Sequence, residues 1–237
     1  MQALRKSLHL LNVTSPVCVQ VATVMRCKMP VTFDHVEMPE KNRPRIIDKT
    51  PNSVRAQIKM PKLLDRMRGP EENHNRLIYG EFGVQALQGG RLRHGHFEAM
   101  RIQLVRNMNT KKCFAHYRVD PVWQGVTKKP IGHRGGGGKP NIKYFVTPVK
   151  EGRIILEVGG YCMFEEVESI LKVIVNLLPF KARVVTRQLL ENEKGEEERL
   201  AKLNQNPFTF EYCAKNNINN IQRWLSPYDF KYFGRYR

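Results

Sequence analysis

An α+β fold, mainly antiparallel sheet with two packed helices, is what this 237-residue sequence predicts, and three observations carry the prediction. Cys113, Ala115, Tyr117 and Val119 alternate with Phe114, His116 and Arg118, the period of a strand with one apolar face. Phe97, Met100, Leu104 and Met108 recur at helical spacing, as do Phe164, Val167, Ile170, Leu171, Ile174 and Leu178. Between two further apolar runs, 142–149 and 153–158, the pair Glu151-Gly152 marks the two-residue connection of an antiparallel hairpin. Helices laid against one face of an antiparallel sheet satisfy all three.

The elements can be taken in chain order. Leu77, Ile78 and Tyr79 lead through Gly80 and Gly83 to Val84, Ala86 and Leu87, which predicts a bent or bulged strand. Gly89-Gly90 then turns the chain. The first helix runs from His96, with Arg101 and Arg106 off its apolar stripe, so one flank is basic. After the strand at 113–119 comes a long glycine-rich basic loop, then the hairpin. The second helix has Glu165, Glu166 and Glu168 at its positive N-terminal end and is closed by Pro179. Residues 182–188 form a last strand, with Arg183 and Arg187 on the face opposite Val184 and Thr186. The result is one domain over 76–188, ordered strand, helix, strand, hairpin, helix, strand.

Extensions flank it on both sides. Residues 1–29 carry Arg5, Lys6, Arg26 and Lys28, no acid, and Ser7, Thr14, Ser15 and Thr23 among Leu and Val, the composition of a mitochondrial transit peptide. A secretory signal is the rival reading, interrupted by Asn12, Pro16, Gln20 and Thr23. No run is long enough to span a bilayer. Residues 30–75 hold Pro30, Pro39, Pro44, Pro51, Pro61 and Pro70 and read as an extended, surface-hugging arm with one short helix, whose order has to come from a partner. Residues 189–237 begin with a charged helical stretch containing Glu196-Glu197-Glu198-Arg199, a solvated face. They end in rings interleaved with cations, from Phe230 to Arg237, which suits stacking on bases, docking on a protein neighbour, or an ordinary sticky terminus.

Charge narrows the choice of partner. Forty Lys and Arg stand against 22 Asp and Glu, a formal +18, so a polyanion is expected to supply the counter-charge, nucleic acid or an anionic membrane surface. From Arg76 to Lys150 the balance is 14 against 3, which places the electrostatic footprint mid-chain. Five scattered cysteines without a C-x-x-C pair argue against a disulfide framework or zinc knuckle and for reduced, packed thiols.

At the centre of the footprint lies Gly132-His133-Arg134-Gly135-Gly136-Gly137-Gly138-Lys139-Pro140, within thirty residues that hold no acid. Four consecutive glycines cannot sit in a helix or strand interior, so this is a loop. Bare backbone N–H groups flanked by Arg134 and Lys139 suit phosphate. Nucleotide-enzyme readings fail on spacing: a P-loop needs Gly where His133 stands and a hydroxyl where Pro140 stands, and no G-x-G-x-x-G opens a helix. His96-Phe97-Glu98 matches the H-x-E of zinc deaminases, but the P-C-x-x-C half is missing, and no nucleophile pairs with a base. No catalytic residue, metal site, cofactor or small-molecule substrate is expected.

RNA fits better. Arg91 and Arg93, Lys111 and Lys112, Lys128 and Lys129, and Arg134 with Lys139 fall at ends of predicted elements, where separate connections can converge on a ribbon of phosphate. Arg101, Arg106, Arg118, Lys143, Arg183 and Arg187 on the elements, and His133 in the loop, complete the candidate set. Base stacking would need exposed sheet aromatics, for which Phe114, His116 and Phe145 are the candidates; backbone and shape recognition is the simpler expectation.

The segments Gly83-Val84-Gln85-Ala86-Leu87, Gly90-Arg91-Leu92 and Phe97-Glu98-Ala99-Met100-Arg101 resemble the large-subunit ribosomal protein sixteen family, bacterial and organellar. So do Tyr117-Arg118-Val119, Lys129-Pro130-Ile131, the loop from Arg134 to Lys139, Tyr144-Phe145-Val146, Leu178-Pro179-Phe180 and Thr186, in order and at the family's spacing. Where the family loop reads R-M-G-x-G-K-G, Gly135 replaces Met and Pro140 replaces the last Gly. The resemblance implies a structural, non-catalytic protein of the large ribosomal subunit. It would bind large-subunit rRNA, with the Arg134 loop toward the peptidyl transferase region and the aminoacyl-site tRNA. Leader, arm and C-terminal extension look like those of animal mitochondrial members, which implies the mitochondrial matrix and neighbouring mitochondrial ribosomal proteins as partners. A non-ribosomal RNA-binding factor in RNA processing or ribosome assembly is the alternative.

Overall fold

The computed structural model describes residues 32–33, 36–52, 57–132 and 135–236. The leader expected over 1–29, and with it Cys18 and Cys27, lies outside them, as do His133 and Arg134. The chain divides into the units Met1–His35 and Val36–Arg237, and the described strands and helices all belong to the second.

Among the described residues, seven strands and five α-helices follow the chain. The strands are β1 (Phe82–Ala86), β2 (Gly90–Arg93), β3 (Cys113–Tyr117), β4 (Gln124–Thr127), β5 (Ile142–Val149), β6 (Ile154–Gly160) and β7 (Ala182–Thr186). The helices are α1 (His94–Asn107), α2 (Phe164–Leu177), α3 (Arg187–Leu203), α4 (Phe210–Lys215) and α5 (Pro227–Tyr232), with 3-10 turns at Leu64–Arg66 and Ile218–Arg223. The strands form two antiparallel sheets, ordered β3-β6-β1-β7 and β2-β5-β4.

The core follows the predicted stripes. Helix α1 buries Phe97, Met100 and Leu104, α2 buries Val167, Leu171 and Ile174, and the two pack on each other while α2 lies on β1 and β7. Each such side chain removed from water contributes about 2 kcal/mol. The Phe97 and Tyr117 rings meet edge to face at 5.5 Å, and the Tyr117 hydroxyl donates to the Phe97 carbonyl at 2.9 Å. Cys113 and Cys162 are free and buried, and burial pushes the Cys162 thiol up to about 12.

The expected hairpin is not formed. β5 and β6 flank a tight turn, yet they enter different sheets. β6 is buried along its whole length, with β3 on one edge and β1 on the other, while the edges of β5 are taken by β2 and β4. Turn groups bond outward: the Gly152 N–H donates to the Ala86 carbonyl at 2.8 Å, and the Glu71 N–H to the Glu151 carbonyl at 2.8 Å. A two-residue connection shows that the chain reverses, not that the strands remain neighbours. Gly90, expected as turn, opens β2, and β4 was not expected; four residues show no period. The first strand is confined to β1, and the last ends at Thr186, so Arg187 opens α3 instead of lying on the strand.

Glu157 explains why residues 77–80 leave the sheet. It is fully buried on β6, where its carboxylate accepts the N–H groups of Ile78 (3.2 Å), Tyr79 (2.7 Å) and Gly80 (3.1 Å) and lies 3.0 Å from Arg118 Nε. A sealed charge needs such partners, and backbone bent around it supplies them.

The described part of the arm lies along the surface of the domain, which supplies contacts that hold it. The Ala115 N–H donates to the Asn42 carbonyl at 3.1 Å along the open edge of β3, Arg45 reaches the Val119 carbonyl at 3.2 Å, and Ile47 is buried in the core. At the other end, the Tyr228 and Tyr236 rings stack at 4.2 Å, and Tyr232 and Tyr236 sit over Gly69, where a Cβ would meet them at 3.2 to 3.3 Å. Lys231 lies 3.8 Å from Glu72. These rings stack on one another and on the arm.

Candidate nucleic-acid interface

The candidate interface is built on the three-stranded sheet. Leu92 and Val149 turn into the core, so the alternate residues Arg91 and Arg93 of β2 and Tyr144 of β5 take the outer face. Arg93 stacks its guanidinium over the Tyr144 ring at 4.2 Å and donates to the Tyr144 hydroxyl at 3.3 Å. The arm crosses the same face: the Lys62 carbonyl accepts from Arg91 Nη2 at 2.9 Å and from Gln124 Nε2 at 3.1 Å, and Arg91 Nε lies 2.9 Å from the Met67 sulfur.

β4 ends into Lys128 and Lys129, β5 starts beside Lys143, and the glycine loop joins them. Gly136, Gly137 and Gly138 hold φ of +62°, +70° and +68°, and a Cβ on any of them would meet nothing within 4 Å. Packing does not require these glycines; left-handed backbone and a bare outer surface do. The loop is pinned at its roots. Lys129 Nζ donates to the Gly136 carbonyl at 3.3 Å, Lys139 Nζ to the carbonyls of Lys59 (3.0 Å) and Met60 (3.2 Å), and Lys59 Nζ to the Lys139 carbonyl at 3.0 Å. Together these segments line a cleft of about 540 Å³ whose walls, among the described residues, hold Lys128, Lys129 and Lys143 and no carboxylate. Such a site accepts an anion and repels a cation.

The remaining candidates are placed elsewhere. Arg106, Lys111 and Lys112 are exposed at the end of α1 and the turn into β3, on the other sheet. Arg101 holds Glu98 in a fork at 2.9 to 3.2 Å, which raises the guanidinium's pKa and lowers the carboxylate's. Arg118 serves Glu157. Arg183 makes a fork to Glu193, both bonds 2.6 Å, and donates to Gln85 Oε1 at 2.9 and 3.0 Å. Arg187 donates to the Gly80 carbonyl at 3.2 Å. The structure therefore brings Arg93, Lys128, Lys129, Lys139 and Lys143 to one region, where Arg93, Lys129 and Lys139 also bond within the protein; it pairs Arg101, Arg118 and Arg183 with carboxylates, ties Arg91 and Arg187 to backbone carbonyls, and sets the α1 corner apart.

Two participants escaped sequence reasoning. Lys59 contacts the loop across 80 positions, which no local pattern announces. Tyr144 is legible only once β5 is known to present it outward. Of the stacking candidates, Phe114 is buried over Gly159, and Phe145 shares the inward face of β5 with Val149 and packs against the core. His116 is exposed beside Tyr79, with ring centroids 5.0 Å apart, and burial and Arg45 lower its pKa.

The H-x-E pair has structural work. His96 Nδ1 accepts the Arg93 N–H at 3.0 Å at the start of α1, and Glu98 is bound by Arg101. Among the described residues, no group of three or more His, Cys, Asp or Glu could hold a metal ion, and no helix is long and apolar enough to cross a membrane.

Comparison with known proteins relates the chain to one family. Residues 55–185 match the family described as ribosomal protein L16p/L10e. Over 124 residues the chain is 32% identical to the large ribosomal subunit protein uL16 of Salinispora arenicola (strain CNS-205), an alignment covering 50% of this chain and 82% of that protein.

Proposed function

Because the chain belongs to the ribosomal protein L16p/L10e family, we propose that it works in the mitochondrial large ribosomal subunit, supporting the aminoacyl-tRNA site and the peptidyl transferase region. The coarser function comes with the family: a structural, non-enzymatic constituent of the large subunit that binds rRNA and meets other ribosomal proteins. The lysine-lined cleft under the glycine loop carries the finer reading. It has no acid in its walls, and its three glycines point open backbone at whatever approaches.

In this reading the segments divide the work. Residues 1–29 are the mitochondrial transit peptide, 30–75 an arm that braces the loop, 76–188 the rRNA-binding domain and 189–237 a C-terminal extension. Lys128, Lys129, Lys139, Lys143 and Arg93, with His133 and Arg134 of the loop, bind functional RNA and the aminoacyl-site tRNA. Arg106, Lys111 and Lys112 hold a second stretch of rRNA. Arg91, Arg101, Arg118, Arg183 and Arg187 keep the charged framework in place and meet phosphate through their remaining donors.

Cosedimentation tests it. Tagged chain should stay with the large subunit of purified mitochondrial ribosomes through a high-salt wash, and Arg134→Ala should slow organellar translation while leaving the chain in the particle. Release in the wash would identify an RNA-processing or assembly factor instead; recovery only with cytosolic particles would overturn the mitochondrial assignment.

A further inference from the structure

The charge of this protein is split. Residues 1–188 hold 32 Lys and Arg against 15 Asp and Glu, whereas 189–237 hold 8 against 7. The acids of the extension gather on α3, where Glu191, Glu193, Glu196, Glu197 and Glu198 meet one base, Lys194, over eight positions. Among the described residues, only the start of the helix is held by the domain. Thr186 Oγ1 caps it by accepting the Leu189 N–H at 3.1 Å, Leu190 packs on Leu77, Ile154 and Val185, and Glu193 takes the Arg183 fork. Beyond that point α3 has no buried residue, and Leu200 and Leu203 stand 67% and 62% exposed.

Helical geometry sets Leu189, Glu196, Leu200 and Leu203 on one face, at i, i+7, i+11 and i+14, with Glu197 beside it. Phe208, 59% exposed, follows just past the helix end. Apolar side chains this open, rimmed by charge, make the pattern of an interface centre. The rim decides the occupant. Along this face Glu193, Glu196 and Glu197 outnumber the single flanking cation Arg199, so phosphate would meet a net negative rim, at a cost of about 1 kcal/mol per close carboxylate pair even in water, and RNA is disfavoured here. A second copy of a chain at +18 is disfavoured by its own field. A basic protein with an apolar contact residue satisfies both the leucines and the glutamates.

On the ribosomal reading proposed for this chain, we infer that the exposed face of α3 docks a neighbouring basic protein of the large subunit, with Leu200 and Leu203 at the centre and Glu196 and Glu197 pairing with its cations. The chain thus turns a basic side to rRNA and an acidic, apolar side to protein.

A photo-crosslinking side chain placed at Leu203 of the full chain, activated in salt-washed large subunits, tests this. The expected product joins the chain to one basic ribosomal protein, and Glu196→Arg with Leu200→Asp should cut its yield about tenfold, the effect of a 1.4 kcal/mol loss. A probe at Lys128 should still cross-link to RNA. Products only with RNA, only with a second copy, or none, while the chain remains in the particle, overturn the docking face and leave the ribosomal reading standing. Absence of the chain from washed particles overturns both.

Discussion

Sealing a carboxylate inside a protein costs several kcal/mol unless its charge is met, and Glu157 meets it with three backbone N–H groups and Arg118. Glu157→Gln keeps the shape but leaves Arg118 uncompensated, so it should destabilise the domain by about 3 kcal/mol, read as a lower denaturant midpoint at unchanged slope. Nothing in the run Ile154-Ile155-Leu156-Glu157-Val158 reveals those partners, because they lie some 40 to 80 positions away. His96 makes a pH-dependent contribution. Burial and Arg93 lower its pKa below the ordinary 6.5, so the unfolded chain takes the proton more readily. Its share of stability is complete above about pH 6.5 and is lost as the pH falls through the lower folded value. Denaturation from about pH 5 to pH 8 should show that slope, and His96→Gln should reduce it.

At the scale of elements, α1 and α2 were legible because fourteen residues of 3.6 periodicity leave little choice of buried face. β2 and β4 were not, being too short to display a period, and the hairpin failed because edge partners are chosen by the whole sheet. Two glycines separate architecture from function. A Cβ on Gly80 would collide with the Val158 carbonyl oxygen, whereas one on Gly137 meets nothing. Gly80→Ala should therefore cost more than about 2 kcal/mol of stability, since backbone has to move. Gly137→Ala strains only a left-handed loop, by about 1 kcal/mol; thermal melting should barely change while affinity for large-subunit rRNA falls.

For the whole molecule, the useful number is not net charge but how many cations remain available. Lys128, Lys129 and Lys143 line the open cleft, so replacing all three with Ala should lower the slope of log K against log salt by about 2 to 3, at roughly 0.7 to 0.9 for each phosphate left without its cation. Arg183→Ala should leave that slope nearly unchanged and lower stability instead, because its guanidinium already serves Glu193 and Gln85. Binding isotherms at several salt concentrations distinguish the two.

Composition and periodicity by themselves determined that this protein is α+β, that its excess of positive charge is concentrated mid-chain, and that the glycine run is a loop, because each follows from residue types a few positions apart. Tertiary structure decided which arginines are spent on Glu98, Glu157 and Glu193, that β5 and β6 part company, and that Lys59 and Lys139 clasp each other across the loop's root. Those outcomes depend on groups far apart in the chain arriving within hydrogen-bonding reach of one another, and only the packed molecule specifies that.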